Sequence, residues 1–260
     1  MNIIYPTRIY CKKISYISNI DIIISNYPPI HNHILSPIEV SYDSNAIYLH
    51  YLVSDRGMTL RDFIGYSNRK PVFHSFHHNY QVDIILQLID AYDFMMTNNM
   101  LVGQPNINPD SIWIERSMSG EIKAYVMDVL ETIVHDKYRI TDDNKQYWSS
   151  EYIHEYHNIN YYNIDYKYTP ILTRCDTKLS SNSIVYSLAL ILYFIVERKD
   201  PYPEGRVIST ERPYFSSHCN EKYKTYIICA TEPNVRKRPS LIEWKNILQK
   251  HNAAHCCLIC

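Results

Sequence analysis

From residue 184 to 196 the chain runs for thirteen residues with Ser187 as its only strongly polar member, then stops at Glu197-Arg198-Lys199-Asp200 ahead of Pro201 and Pro203. That is too short for a bilayer, which needs about 20 apolar residues, and over-long for a strand. A helix apolar on every face belongs inside a core, so the stretch predicts a buried central helix. Upstream, residues 8–14, 33–40 and 46–53 read as strands, the last two separated by the turn-like Tyr42-Asp43-Ser44-Asn45. A short helix over 60–64 leads into a polar, His-rich connector ending near His78. Val82, Ile85, Leu86, Ile89, Phe94 and Met95 recur close to a 3.6-residue period and predict a long amphipathic helix over 81–96. Residues 112–114, a turn at 117–120 and residues 122–127 predict a β-hairpin. The polar stretch 131–178 has no clear period, and 223–230 and 241–249 read as two further amphipathic helices joined by EPNVRKRPS. A small sheet followed by helix, hairpin and several helices is an α+β order.

Composition narrows the classes. A chain of 260 residues buries a large core in one bilobed domain or two small ones. A net charge of −1, with 20% charged residues and no long block of one sign, leaves no footprint for nucleic acid or for an anionic membrane. With 5 Gly against 25 Tyr, spread along the chain with Ile and Asn, the bias is that of an A/T-rich coding genome. Residues 1–13 lack the apolar core and cleavage site of a signal peptide. Seven Cys, an odd number without paired spacing, fit a reducing compartment and hence the cytosol.

Three stretches, in order and at consistent spacing, resemble the large lobe of protein kinases. Tyr147-Trp148-Ser149-Ser150-Glu151 resembles the end of an activation segment, VYSLALILYFIVERKDPYP the central helix with its proline-containing loop, and EPNVRKRPSLIEWKNIL the last helix junction. The resemblance implies a bilobed kinase-like fold of α+β class. Its parts are a truncated β-rich N-lobe over 1–58, a helical C-lobe over 59–252 and an apolar Cys-rich tail over 253–260. It also implies a structural ion pair between Glu151 and Arg238. In the first lobe, IYCKKI is similar to the strand that carries a phosphate-binding lysine and NHILSPIEV to the strand after the mobile helix. Lys12 is then either a vestigial nucleotide contact or a solvated strand lysine. A Gly-rich loop is not to be expected, because no Gly precedes Gly57.

Phosphoryl transfer requires a phosphate cradle, a lysine held by an acid, metal-binding carboxylates and a base near the acceptor hydroxyl. Aligned through Pro109, the catalytic-loop positions hold Gln104, Pro105 and Asn106, the loop lysine is Asn108 and the metal-binding asparagine is Ser111. The Asp-Phe-Gly positions fall on Val126, Met127 and Asp128; a shift of two residues would put Asp128 on the metal but would need an insertion in the hairpin. Residues 15–28 offer Lys12 only Asp21 as a partner acid, and Ile184 stands where the central helix of the family begins with Asp. These degenerate positions imply a pseudokinase with no cofactor and no metal.

Other clusters have bland readings beside the chemical ones. His74-Ser75-Phe76-His77-His78 has no Cys or carboxylate at ligand spacing and reads as a polar loop. Arg236-Lys237-Arg238 belongs to the helix-junction motif. Cys257-Leu258-Ile259-Cys260 has the C-a-a-X form of a prenylation signal with Cys256 beside it for palmitoylation, but reads first as an unmodified apolar tail; as a CxxC without a strand-helix context it is a poor redox or zinc site.

Among kinase-like families the chain resembles the pseudokinase domains of the mixed lineage kinase domain-like family and their truncated poxvirus homologues. The features are the acid at the third position of Val126-Met127-Asp128, the degraded catalytic loop and the pattern PNVRKRPSLIEWKNIL. It departs from them in its short first lobe, in Ile184, and in lacking a match to the activation-loop phosphosites over 131–145. The resemblance implies a viral decoy in the host cell cytoplasm. Its partner would be a host receptor-interacting kinase, its effect a block of necroptotic death, and its membrane association would depend on lipidation of Cys256 and Cys257. Nucleic acid is not an expected partner. Two alternatives stand beside it: another viral scaffold of innate-immune signalling, and a divergent active Ser/Thr kinase.

Overall fold

The computed structural model describes residues 6–15, 31–43, 46–69, 80–98, 107–117, 119–127, 147, 181–202 and 212–256. Strands β1 (Thr7–Ser15), β2 (Glu39–Tyr42) and β3 (Ala46–Ser54) form an antiparallel sheet in the order β1-β3-β2. The period-2 alternation of β3 decides its faces. Ile47, Leu49, Tyr51 and Val53 are buried, whereas Leu52 is exposed opposite the exposed Ile9 of β1.

A second antiparallel sheet, in the order β4-β5-β6, is built from β4 (Met58–Thr59), β5 (Ile112–Arg116) and β6 (Ile122–Val126). Between β4 and β5 lie helices α1 (Leu60–Arg69) and α2 (Tyr80–Thr97); after β6 come α3 (Ser181–Glu197), α4 (Glu221–Ala230) and α5 (Leu241–Cys256). The fold is α+β, with a small sheet unit and a larger, helical one.

The strand expected over 33–40 begins only at Glu39. Pro37 has no N–H for a ladder, and the residues before it pair with the other unit. Leu35 N donates to Val126 O and Val126 N to His33 O, both at 2.9 Å, making an isolated parallel bridge between Ile34 and Val126. The two units are thereby joined through the backbone. The His-rich connector ending at His78 lies outside the described residues.

Helix α3 is the centre of the core. Every residue from Ser183 to Ile195 is buried, and α2, α4 and α5 all pack against it. Ser187 is accommodated because its hydroxyl donates back to Ser183 O at 3.5 Å. Among the described residues no helix is long and apolar enough to cross a membrane. The flanking helices start where side chains satisfy their first N–H groups. Asn220 caps α4 by accepting from Lys222 N at 2.9 Å. Ser240 and Glu243 form a reciprocal capping box at the head of α5, with Ser240 N to Glu243 Oε2 at 2.7 Å and Glu243 N to Ser240 Oγ at 3.3 Å.

Beyond the end of α3, Arg198 takes up a left-handed conformation (φ 57°), and its N–H donates to Phe194 O at 2.9 Å, closing the helix. Glu197, whose side chain is only 2% exposed, anchors the following loop: Ser216 donates to it from N at 3.1 Å and from Oγ at 3.2 Å, and Lys199 Nζ stands 3.5 Å away. Burial alone would raise its pKa, but hydrogen bonds from Cys219 and Ser216, with the Lys199 charge, outweigh that effect and hold it below the ordinary value of 4.5. A depressed carboxylate pKa contributes stability above the unfolded value and loses it as pH falls through the folded one. Glu197→Gln should therefore lower the melting temperature at pH 7, and the gap from wild type should close as pH is taken below about 4. Thermal denaturation of both proteins between pH 7 and pH 3 checks this.

Candidate functional site

The kinase-like resemblance points to positions on β1, in the loop before β5 and at the end of β6, and the fold brings the last two together. Ile107 and Asn108 enter a tight turn laced by local hydrogen bonds. Asn108 Oδ1 accepts from Asp110 N at 2.8 Å and from Ser111 N at 3.1 Å, while Asn108 N donates to Ser111 Oγ at 3.1 Å. Ser111 Oγ in turn donates to Asn108 O at 2.9 Å. Both side chains are buried. Met127 N then donates to Ser111 O at 2.9 Å, which sets Val126 and Met127 against the turn. Tyr51 of β3 reaches across from the small sheet, and its hydroxyl donates to Met127 O at 2.7 Å.

Lys12 lies on the face of β1 that points towards this junction, because its register partner is the buried Leu49; its neighbours on that face are Tyr10, opposite Tyr51, and Arg8, opposite Val53. Gln104, Pro105, Asn106 and Asp128 lie outside the described residues. Among the described residues no group of three or more His, Cys, Asp or Glu is arranged to hold a metal ion.

One ionic cluster beside this turn carried no signal in the sequence. Arg61, in the first turn of α1, donates from Nε to both Asp110 oxygens at 3.0 and 2.8 Å and from one terminal nitrogen to both Asp200 oxygens at 3.3 Å. Its backbone N–H donates to Pro109 O at 3.2 Å, and its guanidinium lies 5.3 Å from the centre of the Phe194 ring. Tyr147 is fully buried and donates to Asp200 Oδ1 at 2.7 Å. Burial, and then the Asp200 carboxylate, push its phenol pKa far up, so Tyr147 is a permanent donor. Burial alone would favour the neutral form of Arg61, but Asp110 and Asp200 keep it firmly charged. Four stretches far apart in sequence meet at one guanidinium, whose fork suits two carboxylates.

Arg238 stands away from this cluster, at the N-terminal end of α3. It is 3% exposed, donates from Nε to Glu232 O at 2.6 Å and from a terminal nitrogen to Pro233 O at 3.3 Å, and lies 4.6 Å from the centre of the Tyr186 ring. Asn182 of α3 closes the contact by donating to Arg238 O at 2.8 Å. Glu151, its expected partner, and Cys257 lie outside the described residues, as does the side chain of Cys256.

Comparison with known proteins agrees with this architecture. No family model matches the sequence, and no curated protein matches it. Among solved structures the chain is similar to one described as the AtMLKL3 tetramer, with a TM-score of 0.59 at 14% identity; the alignment covers 91% of this chain and 40% of that one. The name is that of a mixed lineage kinase domain-like protein. The chain thus has a kinase-like fold of the kind found in that protein and spans about two fifths of its length.

Arg238 holds two carbonyl oxygens of the preceding loop with one planar guanidinium. Arg238→Ala should lower the unfolding free energy by roughly 1.5–3 kcal/mol, since it removes a buried guanidinium together with its charge-assisted hydrogen bonds and its contact with Tyr186. Arg238→Lys should recover less than half of that, because an ammonium lacks the planar fork. Urea denaturation of the three proteins measures both.

Proposed function

We propose that the chain is a catalytically inactive kinase-like domain that acts by binding. In this reading it is a viral decoy that occupies a host receptor-interacting kinase in the cytoplasm and blocks necroptotic death. The observation that carries the inactive part is the Asn108–Ser111 turn. The residues at the loop-lysine and metal-asparagine positions serve the backbone of their own loop, and Val126, at the first Asp-Phe-Gly position, offers no carboxylate. A metal–phosphate complex needs carboxylates and a lysine free to face it. The binding part is supported by a kinase-like scaffold retained around a buried α3. The A/T-rich composition supports a viral origin.

Tagged protein expressed in host cells primed for necroptosis should capture the receptor-interacting kinase and abolish phosphorylation of the downstream effector. Failure of the folded protein to capture that kinase would remove the decoy reading. Phosphoryl transfer that depends on Lys12 or Asp128 would instead establish a divergent active kinase.

A further inference from the structure

The inner face of the small sheet is covered. Trp113 and Met127 pack on Ile47, Leu49, Tyr51 and Val53, and the indole comes so close to the backbone that a Cβ at Gly57 would lie 2.3 Å from its Nε1. The long edge of the sheet differs. β1 and β2 stand at the two edges of the order β1-β3-β2, and among the described residues β1 forms a ladder with β3 alone. An edge strand is a template for a further strand unless something blunts it, and the usual devices are short length, proline and charge. β2 has the first two, with four residues and Pro37 close ahead of them. β1 runs for nine residues, Thr7–Ser15, without proline, and its device is charge: Arg8, Lys12 and Lys13, with no acid.

Charge of one sign does not close an edge; it selects what can pair there. Antiparallel pairing with β1 of a second copy would gather the cations of both strands with no acid between them. An acidic segment meets the opposite charge along the whole strand. The outer face beside the edge adds an apolar contact. Ile9 is 61% exposed and stands opposite Leu52, itself 50% exposed, in the β1–β3 register. Cys11 and Lys13 follow on the same face at two-residue spacing and are exposed, with Lys13 Nζ 5.9 Å from the centre of the Tyr48 ring. The cations alone account for an edge kept in solution. The exposed Ile9–Leu52 pair among them fits an added strand that brings an apolar side chain of its own.

We infer that the outer edge of β1 is a docking site for an extended acidic segment of another protein, added to the small sheet as a further strand, with its acids towards Arg8, Lys12 and Lys13 and an apolar residue beside Ile9 and Leu52. In this mode backbone hydrogen bonds supply affinity and alternate side chains supply selectivity. The inference does not rest on the decoy reading, because the peptide experiment below succeeds or fails whether or not a host kinase is captured.

The experiment uses the full chain and a peptide of nine residues, the length of β1, alternating Glu and Val. A peptide alternating Lys and Val, and a copy of the acidic peptide with Pro at its centre, are the controls, since proline cannot complete a ladder. Hydrogen exchange resolved along the chain reads the amides of β1. With the acidic peptide in excess, the β1 amides that exchange fast in the free protein should slow roughly tenfold, and the controls should leave them unchanged. Lys13→Glu should weaken the effect several-fold, whereas Lys237→Glu, the same change of charge on an exposed residue outside the sheet, should not. No slowing at the highest soluble peptide concentration, equal slowing by either control peptide, or equal loss in Lys13→Glu and Lys237→Glu would overturn the inference. So would β1 amides that slow with protein concentration alone, which would give the edge to a second copy.

Discussion

The burial of α3 on all its faces is the constraint on which the rest of the structure depends. A helix with no solvent-facing side can exist only if other elements enclose it, and α2, α4 and α5 do so. Its ends then have to be resolved inside the protein, where an unsatisfied group is expensive. At the first turn Arg238 is drawn under Tyr186 with Asn182 holding its carbonyl, so a charge is buried with hydrogen-bond partners on the neighbouring backbone. At the last turn Arg198 adopts a left-handed conformation, a cost of about 1 kcal/mol for a residue with a Cβ, and the chain turns so that Glu197 can fasten the loop carrying Ser216.

The same turn after α3 delivers Asp200 to Arg61 and so ties the end of the buried helix to α1. Arg61 is fixed by α1, Asp110 by the Asn108–Ser111 turn, and Asp200 by the end of the buried helix, with Tyr147 donating to Asp200. The two ion pairs are partly exposed, so each contributes little by itself. Their effect is geometric: a planar guanidinium satisfied by two carboxylates tolerates little movement of the three elements that supply them.

How much of this could be read in the sequence follows from how local each signal is. The α3 run, the 3.6-residue period of α2 and the β5–β6 hairpin are patterns within one segment, and each reappears in the structure with bounds shifted by a few residues. The segment over 33–40 misled because its β propensity is real, but its partner is Val126, far along the chain, and Pro37 interrupts the ladder. Met58–Thr59 is too short for any alternation to show. The kinase-like motif points to Asn108 and Ser111, whereas Arg61, Asp110, Asp200 and Tyr147 are brought together only by tertiary structure. Gly57 was visible merely as the first glycine, because its reason for being glycine sits at Trp113.

The small sheet shows what joining the two units accomplishes. Three strands with one buried face are marginal without a covering layer, and here that layer includes Trp113 and Met127, residues of the larger unit. The Tyr51 hydroxyl and the His33–Leu35 backbone add directional bonds across the same boundary. A hinge needs a boundary with few such bonds and space for the units to move apart; this one has a shared core. For the binding role proposed above the shared core matters, since every alternative arrangement of the two units would reduce an apparent affinity by the fraction in the competent state.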